Sequence, residues 1–140
     1  MTRSRGFVAG VLVAALVATA ATPSAAQTQS DLNAAACAAY QQADGNLNAV
    51  YKKILQKYKA DAPFLASLRD AQRAWIAYRD AHLQSVYPEK AKRTAYGSIY
   101  DTCACGVLRT LTVQRTAMLQ AWLDGVPEGE VCAGSIQVKP

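Results

Sequence analysis

Few residues in this chain of 140 could carry chemistry. There is one histidine, His82, and there are four cysteines, Cys37, Cys103, Cys105 and Cys132. The pair "CAC" together with His82 could offer thiolate and imidazole to a metal. Structural zinc sites take four such ligands at set spacings, however, and one His with a Cys-x-Cys falls short of that. Nucleophilic catalysis needs a base held against a nucleophile and oriented by a third group. His82 falls among apolar residues with no Ser-His-Asp set around it. General acid–base work needs carboxylates at fixed separation, yet Glu89, Glu128 and Glu130 all lie in a connecting loop or the tail. The expectation is a protein that is not an enzyme and takes no cofactor and no metal.

The first 26 residues argue for export. Arg3 and Arg5 form a short positive segment, Phe7 to Ala20 is apolar, and Ser24-Ala25-Ala26 presents small residues to a peptidase. This is the pattern of a secretory signal peptide cut between Ala26 and Gln27. Its apolar run is short of the roughly 20 residues that span a bilayer, so no stable membrane span is expected after cleavage. Residues 27–140 then make one small domain, periplasmic or secreted. Losing Arg3 and Arg5 takes Lys+Arg from 15 to 13 against 10 Asp+Glu, and the net charge from +5 to +3. So mild an excess argues against a nucleic-acid partner. Four cysteines in an oxidising compartment point to two disulfides.

The elements that must position these residues are helices. Ala, Leu, Gln, Lys and Arg dominate, and apolar residues recur at intervals of three and four. The pattern predicts an all-α fold, a small antiparallel three-helix bundle. The first helix runs from about Asp31 to Lys59, with Ser30 or Asp31 as N-cap and with Gly45 as a place where it can break. The second starts at Pro63 and stops at about Val86, before Pro88. The third spans about Thr102 to Asp124 and stops at Gly125. The connection "YPEKAKRTAYGSI" is a basic loop, and 125–140 is an irregular tail.

Within "LRDAQRAWIAYRDAHLQ" the Arg-Asp-Ala triplet occurs twice, ten residues apart. Ten residues is not a whole number of helical turns, so the two copies face different ways. With Trp75 at the centre of the apolar arc, Phe64, Leu68, Tyr78, His82 and Val86 fall within about 60° of it, as do Gln72 and Arg79. Arg69, Asp70, Arg73 and Asp80 fall on the far side. The third helix, centred on Leu111, turns Ala104, Val107, Leu108, Met118, Trp122 and also Arg115 inward. The first, centred on Leu47, carries Tyr40, Val50, Tyr51, Ile54 and Tyr58 inward, with Asp44 among them and Asn48 at the edge. Buried charges survive only when paired and hydrogen-bonded. Either Arg79 or Arg115 therefore bridges to Asp44, with Gln72, Asn48 and tyrosine hydroxyls completing the bonds. Alternatively, one of the two arginines emerges at the rim and meets a partner.

Short connections make successive helices antiparallel, so the first and third run parallel and Cys37 lies near the end that holds Cys103 and Cys105. One bridge is expected from Cys37 to Cys103 or Cys105, and a second from Cys132 to the other. The second would tether the tail, running back nearly stretched along a helix roughly 30 Å long.

These residues together carry a resemblance. "DGNLNAVYKKIL" with Leu47, Asn48 and Tyr51, "LRDAQRAWIAYRDA" with Gln72, Trp75, Arg79 and Asp80, the Gly97-Ser98 pair, and "LRTLTVQRTAML" with Thr112, Arg115 and Leu119 resemble the LprI-like lysozyme-inhibitor N-terminal domain family. The match runs over about 35–123, the core of the domain. The resemblance implies a helical envelope domain with Asp44, Leu47, Asn48, Tyr51, Gln72, Trp75, Arg79, Arg115 and Leu119 as its structural signature. It also implies a cysteine pair where this chain has His82 and Val107.

The implied activity is inhibition of lysozyme, which cleaves cell-wall glycan with two carboxylates. An inhibitor must block that cleft, and the basic loop supplies the contacts, Lys90, Lys92, Arg93, Tyr96 and Ser98, with Arg79 as a further candidate. A chain at +3 gains no electrostatic steering toward a strongly basic lysozyme. The expected function is thus an exported binding module whose protein partner is a lysozyme-type muramidase. The alternative is a structural or stress-related envelope protein that binds peptidoglycan or another envelope protein. Oligomeric state is not legible in the sequence.

Overall fold

The computed structural model describes residues 27–139; the expected leader at 1–26 lies outside the described residues. Four helices follow in order, α1 Gln29–Lys57, α2 Ala62–Val86, α3 Lys92–Tyr96 and α4 Tyr100–Asp124. The all-α expectation holds. Among the described residues the only extended pairing is an isolated bridge between Val126 and Val138.

Each long helix starts and stops for an identifiable reason. The N-cap of α1 is Thr28, ahead of the expected Ser30 or Asp31. Thr28 and Asp31 form a reciprocal capping box: the Asp31 amide donates to the Thr28 hydroxyl and the Thr28 amide to the Asp31 carboxylate, at 3.2 and 3.0 Å. The expected break at Gly45 does not occur. A helical glycine costs about 1 kcal/mol relative to Ala, and here the helix buries Ala43 and Leu47 on either side of it. Asp61 caps α2 through the Phe64 amide, with Pro63 in the first turn, as its ring tolerates. The stretch expected to be a plain loop contains the short helix α3, which ends at Gly97 with φ 73°. No side chain of its own caps α4. Instead Asn33 of α1 accepts from the Thr102 amide and hydroxyl, at 3.2 and 2.6 Å. At its other end, Lys57 of α1 donates to the carbonyls of Trp122 and Leu123, placing a cation where the helix dipole is negative.

Helices α1 and α4 run parallel and close together, and small buried residues such as Ala43 and Ala104 let the backbones approach. The antiparallel α2 stands further off and reaches them through longer side chains. The core gathers where α1 ends and α2 begins: Leu47, Ile54, Tyr58, Leu65, Leu68 and Leu119, with Phe64, Trp75 and Trp122 packed on it. Full burial of a side chain such as Leu119 contributes about 2 kcal/mol. Toward the other end α2 is more open. Tyr78, expected inside, is 55% exposed; on α4, Met118, also expected inside, faces out at 61% beside the buried Leu119.

Cys37 and Cys105 form a disulfide across α1 and α4, which is one of the two partners expected for Cys37. The second expected bridge is not formed. Cys103 and Cys132 are both free thiols, and Cys132 is exposed. The tail therefore is not tethered by a disulfide. It turns at Gly125, φ 71°, and folds back on its own end of the bundle, far from Cys103. Backbone bonds join Val126 to Gln137 and Lys139, the Trp122 indole donates to Ser135, and the Gln137 amide donates to the Tyr58 hydroxyl at 3.2 Å.

Candidate functional site

Two clusters hold the residues singled out in the sequence. The first lies between the helices. Arg79, only 15% exposed, lies along the Trp75 ring at 5.4 Å from its centre. Its guanidinium meets Asp80 at 2.8 Å and reaches Asp44 at 3.9 Å. Asn48 donates to Asp44 at 2.9 Å. Nearby, burial pushes the Tyr40 hydroxyl above its usual range; Arg79 offsets part of this, and Asp44 and Asp80 add to it. Arg115 takes the other polar intruder: its Nε donates to Gln72 at 3.0 Å. Among the described residues no carboxylate lies within ion-pair distance of Arg115. Burial lowers its pKa, with Tyr51 opposing that effect. Arg79 is therefore the arginine that bridges toward Asp44, and Arg115 pairs with a neutral amide.

The second cluster is the connection from α2 to α4, and it is a built structure. Tyr87, Tyr96 and Tyr100 pack ring against ring, with centroids 5.1, 5.2 and 6.0 Å apart. The Tyr96 hydroxyl accepts from the Glu89 amide at 3.1 Å. Lys92 is turned inward and donates to the Tyr87 carbonyl and to Gln84. Arg93 pairs with Asp101 at the start of α4. Asn33 donates to the Ser98 carbonyl at 2.9 Å, so one side chain of α1 fixes both the loop and the start of α4. Lys90 and the Ser98 side chain remain exposed, as does Ile99. Beside them a groove of about 450 Å³ is lined by Gln29, Ser30, Asn33, Arg93, Ser98 and Asp101, with Ala34 and Cys37. The Cys37–Cys105 bridge underlies this end of the molecule.

Sequence reasoning grouped Lys90, Lys92, Arg93, Tyr96 and Ser98 by proximity along the chain, and the fold does bring them together. It separates them by role: Lys92 and Tyr96 hold the loop, Arg93 is exposed but pairs with Asp101, and Lys90 projects. Arg79 lies apart, in the inter-helix cluster. Asn33, Tyr87, Tyr100 and Asp101 were not singled out, although three tyrosines at 87, 96 and 100 flanking a basic run were a visible signal. His82, read as a core residue, is half-buried, stacks on Tyr78 at 5.7 Å and lines a groove with Val107 and Leu111. Among the described residues no cluster of His, Cys, Asp and Glu could hold a metal ion. No helix among them is long and apolar enough to cross a membrane.

These features define a small helical, disulfide-pinned domain that presents a preformed basic loop at one end. The chain belongs to the family described as lysozyme inhibitor LprI, whose profile matches residues 20–119. It is also 34% identical to an uncharacterized protein of Rhizobium meliloti (strain 1021), over 71% of this chain and 76% of that one. No solved structure matches it.

Proposed function

We propose that this chain is an exported, non-catalytic binding module that inhibits lysozyme-type muramidases by placing the 87–99 loop in the glycan-binding cleft. The observation that carries this reading is the internal bonding of that loop. A blocking loop gains affinity when its bound shape exists beforehand, since the entropy of ordering it is then already met by folding. The tyrosine cluster, the inward Lys92, the Asn33 bonds to Ser98 and Thr102, and the disulfide beneath supply that order. The projecting Lys90 suits a cleft whose chemistry depends on two carboxylates, with Arg93 exposed beside it and held on Asp101. Local pairing of this kind needs no long-range steering between two basic proteins. Family membership supports the inhibitor assignment.

The test is lysozyme turnover on cell-wall substrate with increasing amounts of the purified exported chain, using lysozymes of several types. Dose-dependent loss of turnover is expected for at least one type. No inhibition of any type at high micromolar concentration overturns the proposal, and binding to isolated peptidoglycan sacculi without inhibition replaces it with the envelope-binding alternative.

A further inference from the structure

Of the two arginines in apolar arcs, Arg79 is committed to Asp80 and Asp44. Arg115 is not. Its Nε donates to the Gln72 carbonyl oxygen at 3.0 Å, and its two Nη groups make no hydrogen bond among the described residues. No buried side-chain nitrogen among those residues lacks a partner, so both Nη groups reach solvent. Arg115, Gln72 and Tyr51 are each half-buried, one from each long helix. An Nε–H can only donate, so Gln72 turns its carbonyl oxygen to it and keeps its NH2 as an uncommitted donor. Tyr51 stands near enough for its ionisation to act on the guanidinium charge, and its hydroxyl makes no hydrogen bond among the described residues.

The charges on all three helices leave this point positive. On α1, Lys52 and Lys53 follow Tyr51 and are exposed, while Asp44 lies about 10 Å back along the helix and is held by Asn48 and Arg79. On α2, Arg69 is exposed, and Asp70 is exposed and paired with Arg73. On α4, the nearest charged residues are Arg109 and Asp124, about 9 and 14 Å along the axis. The acids of the tail, Glu128 and Glu130, lie beyond the end of α4.

We propose that Arg115, Gln72 and Tyr51 form a half-open receptor for the carboxylate of a small organic acid. The uncommitted groups select that chemistry. The Nη groups, the amide NH2 and the phenol all offer hydrogens, and only the phenol oxygen could accept one. With Nε held by Gln72, the guanidinium presents its Nη pair end-on, a planar fork that matches the two oxygens of a carboxylate. Half-burial strengthens such a contact, because less water screens it. The fold itself gains little from a desolvated cation with a neutral partner, and a bound carboxylate supplies the missing counter-charge. Arg115 lies about 22 Å along α4 from Tyr100, so the receptor is separate from the 87–99 loop.

Titration of the purified exported chain with acetate at about pH 7, where the acid is ionised, tests this at constant ionic strength against chloride. Nuclear magnetic resonance follows the Arg115 Nε–H and the Gln72 NH2 signals. Both should shift saturably, with a Kd of about 1–10 mM, while the Arg79 Nε–H signal stays still. Arg115→Lys, which keeps the charge and loses the fork, should weaken binding about tenfold. Tyr51→Phe, which removes only a hydroxyl, should weaken it by a smaller factor, and circular dichroism checks the fold of both variants. Shifts that do not saturate by several hundred millimolar, or that chloride reproduces, overturn the proposal. So does an Arg115→Lys chain that folds and binds acetate as the wild type does. Inorganic phosphate binding more tightly than acetate overturns the assignment to a carboxylate.

Discussion

Removing the Cys37–Cys105 bridge should destabilise the domain far more than any surface change, and the loss can be estimated from its place in the chain. The bridge joins residues 68 apart in sequence. Closing a loop of that length removes about 4 kcal/mol of chain entropy from the unfolded state. A domain of this size responds to such a loss with a fall in Tm of roughly 15–25 °C. The damage should also be uneven. The apolar core lies where α1 meets α2, whereas the disulfide lies at the far end, where α1 depends on Asn33 and the bridge to stay against α4. The Cys37→Ser/Cys105→Ser variant should therefore melt early and lose amide protection first over the N-terminal half of α1 and the 87–99 loop. Thermal melts by circular dichroism, with hydrogen exchange read residue by residue, give both quantities. Wild-type protein melted in dithiothreitol provides an independent second arm. A loss under about 1 kcal/mol, or uniform loss of protection, would refute the claim that the bridge organises this end.

Three further outcomes follow from the geometry. Arg115→Met should cost less than about 1 kcal/mol, because a desolvated guanidinium with only Gln72 as partner is replaced by an apolar chain. Arg79→Met, which strips Asp44 and Asp80 of their cation and uncovers Trp75, should cost about 1–3 kcal/mol; urea denaturation of both variants checks the order. Gly125→Ala should loosen the tail at a cost of at least about 1 kcal/mol, since the residue has φ 71° and a Cβ would lie 2.7 Å from the Gln137 carbonyl oxygen. The expected readout is faster proteolysis within 126–139. The Asp31 carboxyl is held below its usual 3.8 by bonds from the backbone and side chain of Thr28. Its folded pKa is depressed, so its contribution is complete above the unfolded value and fades as pH falls below about 4. Amide exchange in the first turn of α1 should accelerate over that range, and Asp31→Asn should remove the pH dependence.

The long helices were legible because their punctuation is strong. Pro63 and Gly125 mark boundaries that the fold respects; the first cap was placed late, since the Thr28–Asp31 box begins before the apolar period does, and α4 likewise begins at Tyr100, ahead of the expected Thr102. The inward faces were read less well. Period alone assigns one apolar arc to each helix, but α4 packs closely on α1 and only loosely on α2. The result is that Thr112 is fully buried while Met118 faces out. Thr112 can be buried because its hydroxyl donates back to the Leu108 carbonyl at 2.8 Å, a bond no pattern of hydrophobicity records. The polar intruders were visible as charges in apolar arcs, yet the choice between Arg79 and Arg115 for Asp44 required geometry. The second disulfide was inferred from an even cysteine count. The tail's course is set instead by the left-handed turn at Gly125 and the Val126–Val138 bridge, which keep Cys132 from reaching Cys103. The loop read as a charge run takes its order from Tyr87 and Tyr100, which flank its basic residues, and from Asn33, which is distant in sequence and so was not legible there.

The central claim, that the 87–99 loop occupies the glycan cleft, is tested most directly by competition. Binding of the purified exported chain to a sensitive lysozyme should be measured by calorimetry with and without a soluble cell-wall oligosaccharide that fills the cleft, for wild type and for Lys90→Glu. The account predicts that the apparent Kd rises in proportion to oligosaccharide concentration. It also predicts that Lys90→Glu, a reversal of one projecting charge with no partner inside the fold, weakens binding about tenfold while Tm stays unchanged. Simultaneous binding of chain and oligosaccharide, with Lys90→Glu indistinguishable from wild type, would contradict it.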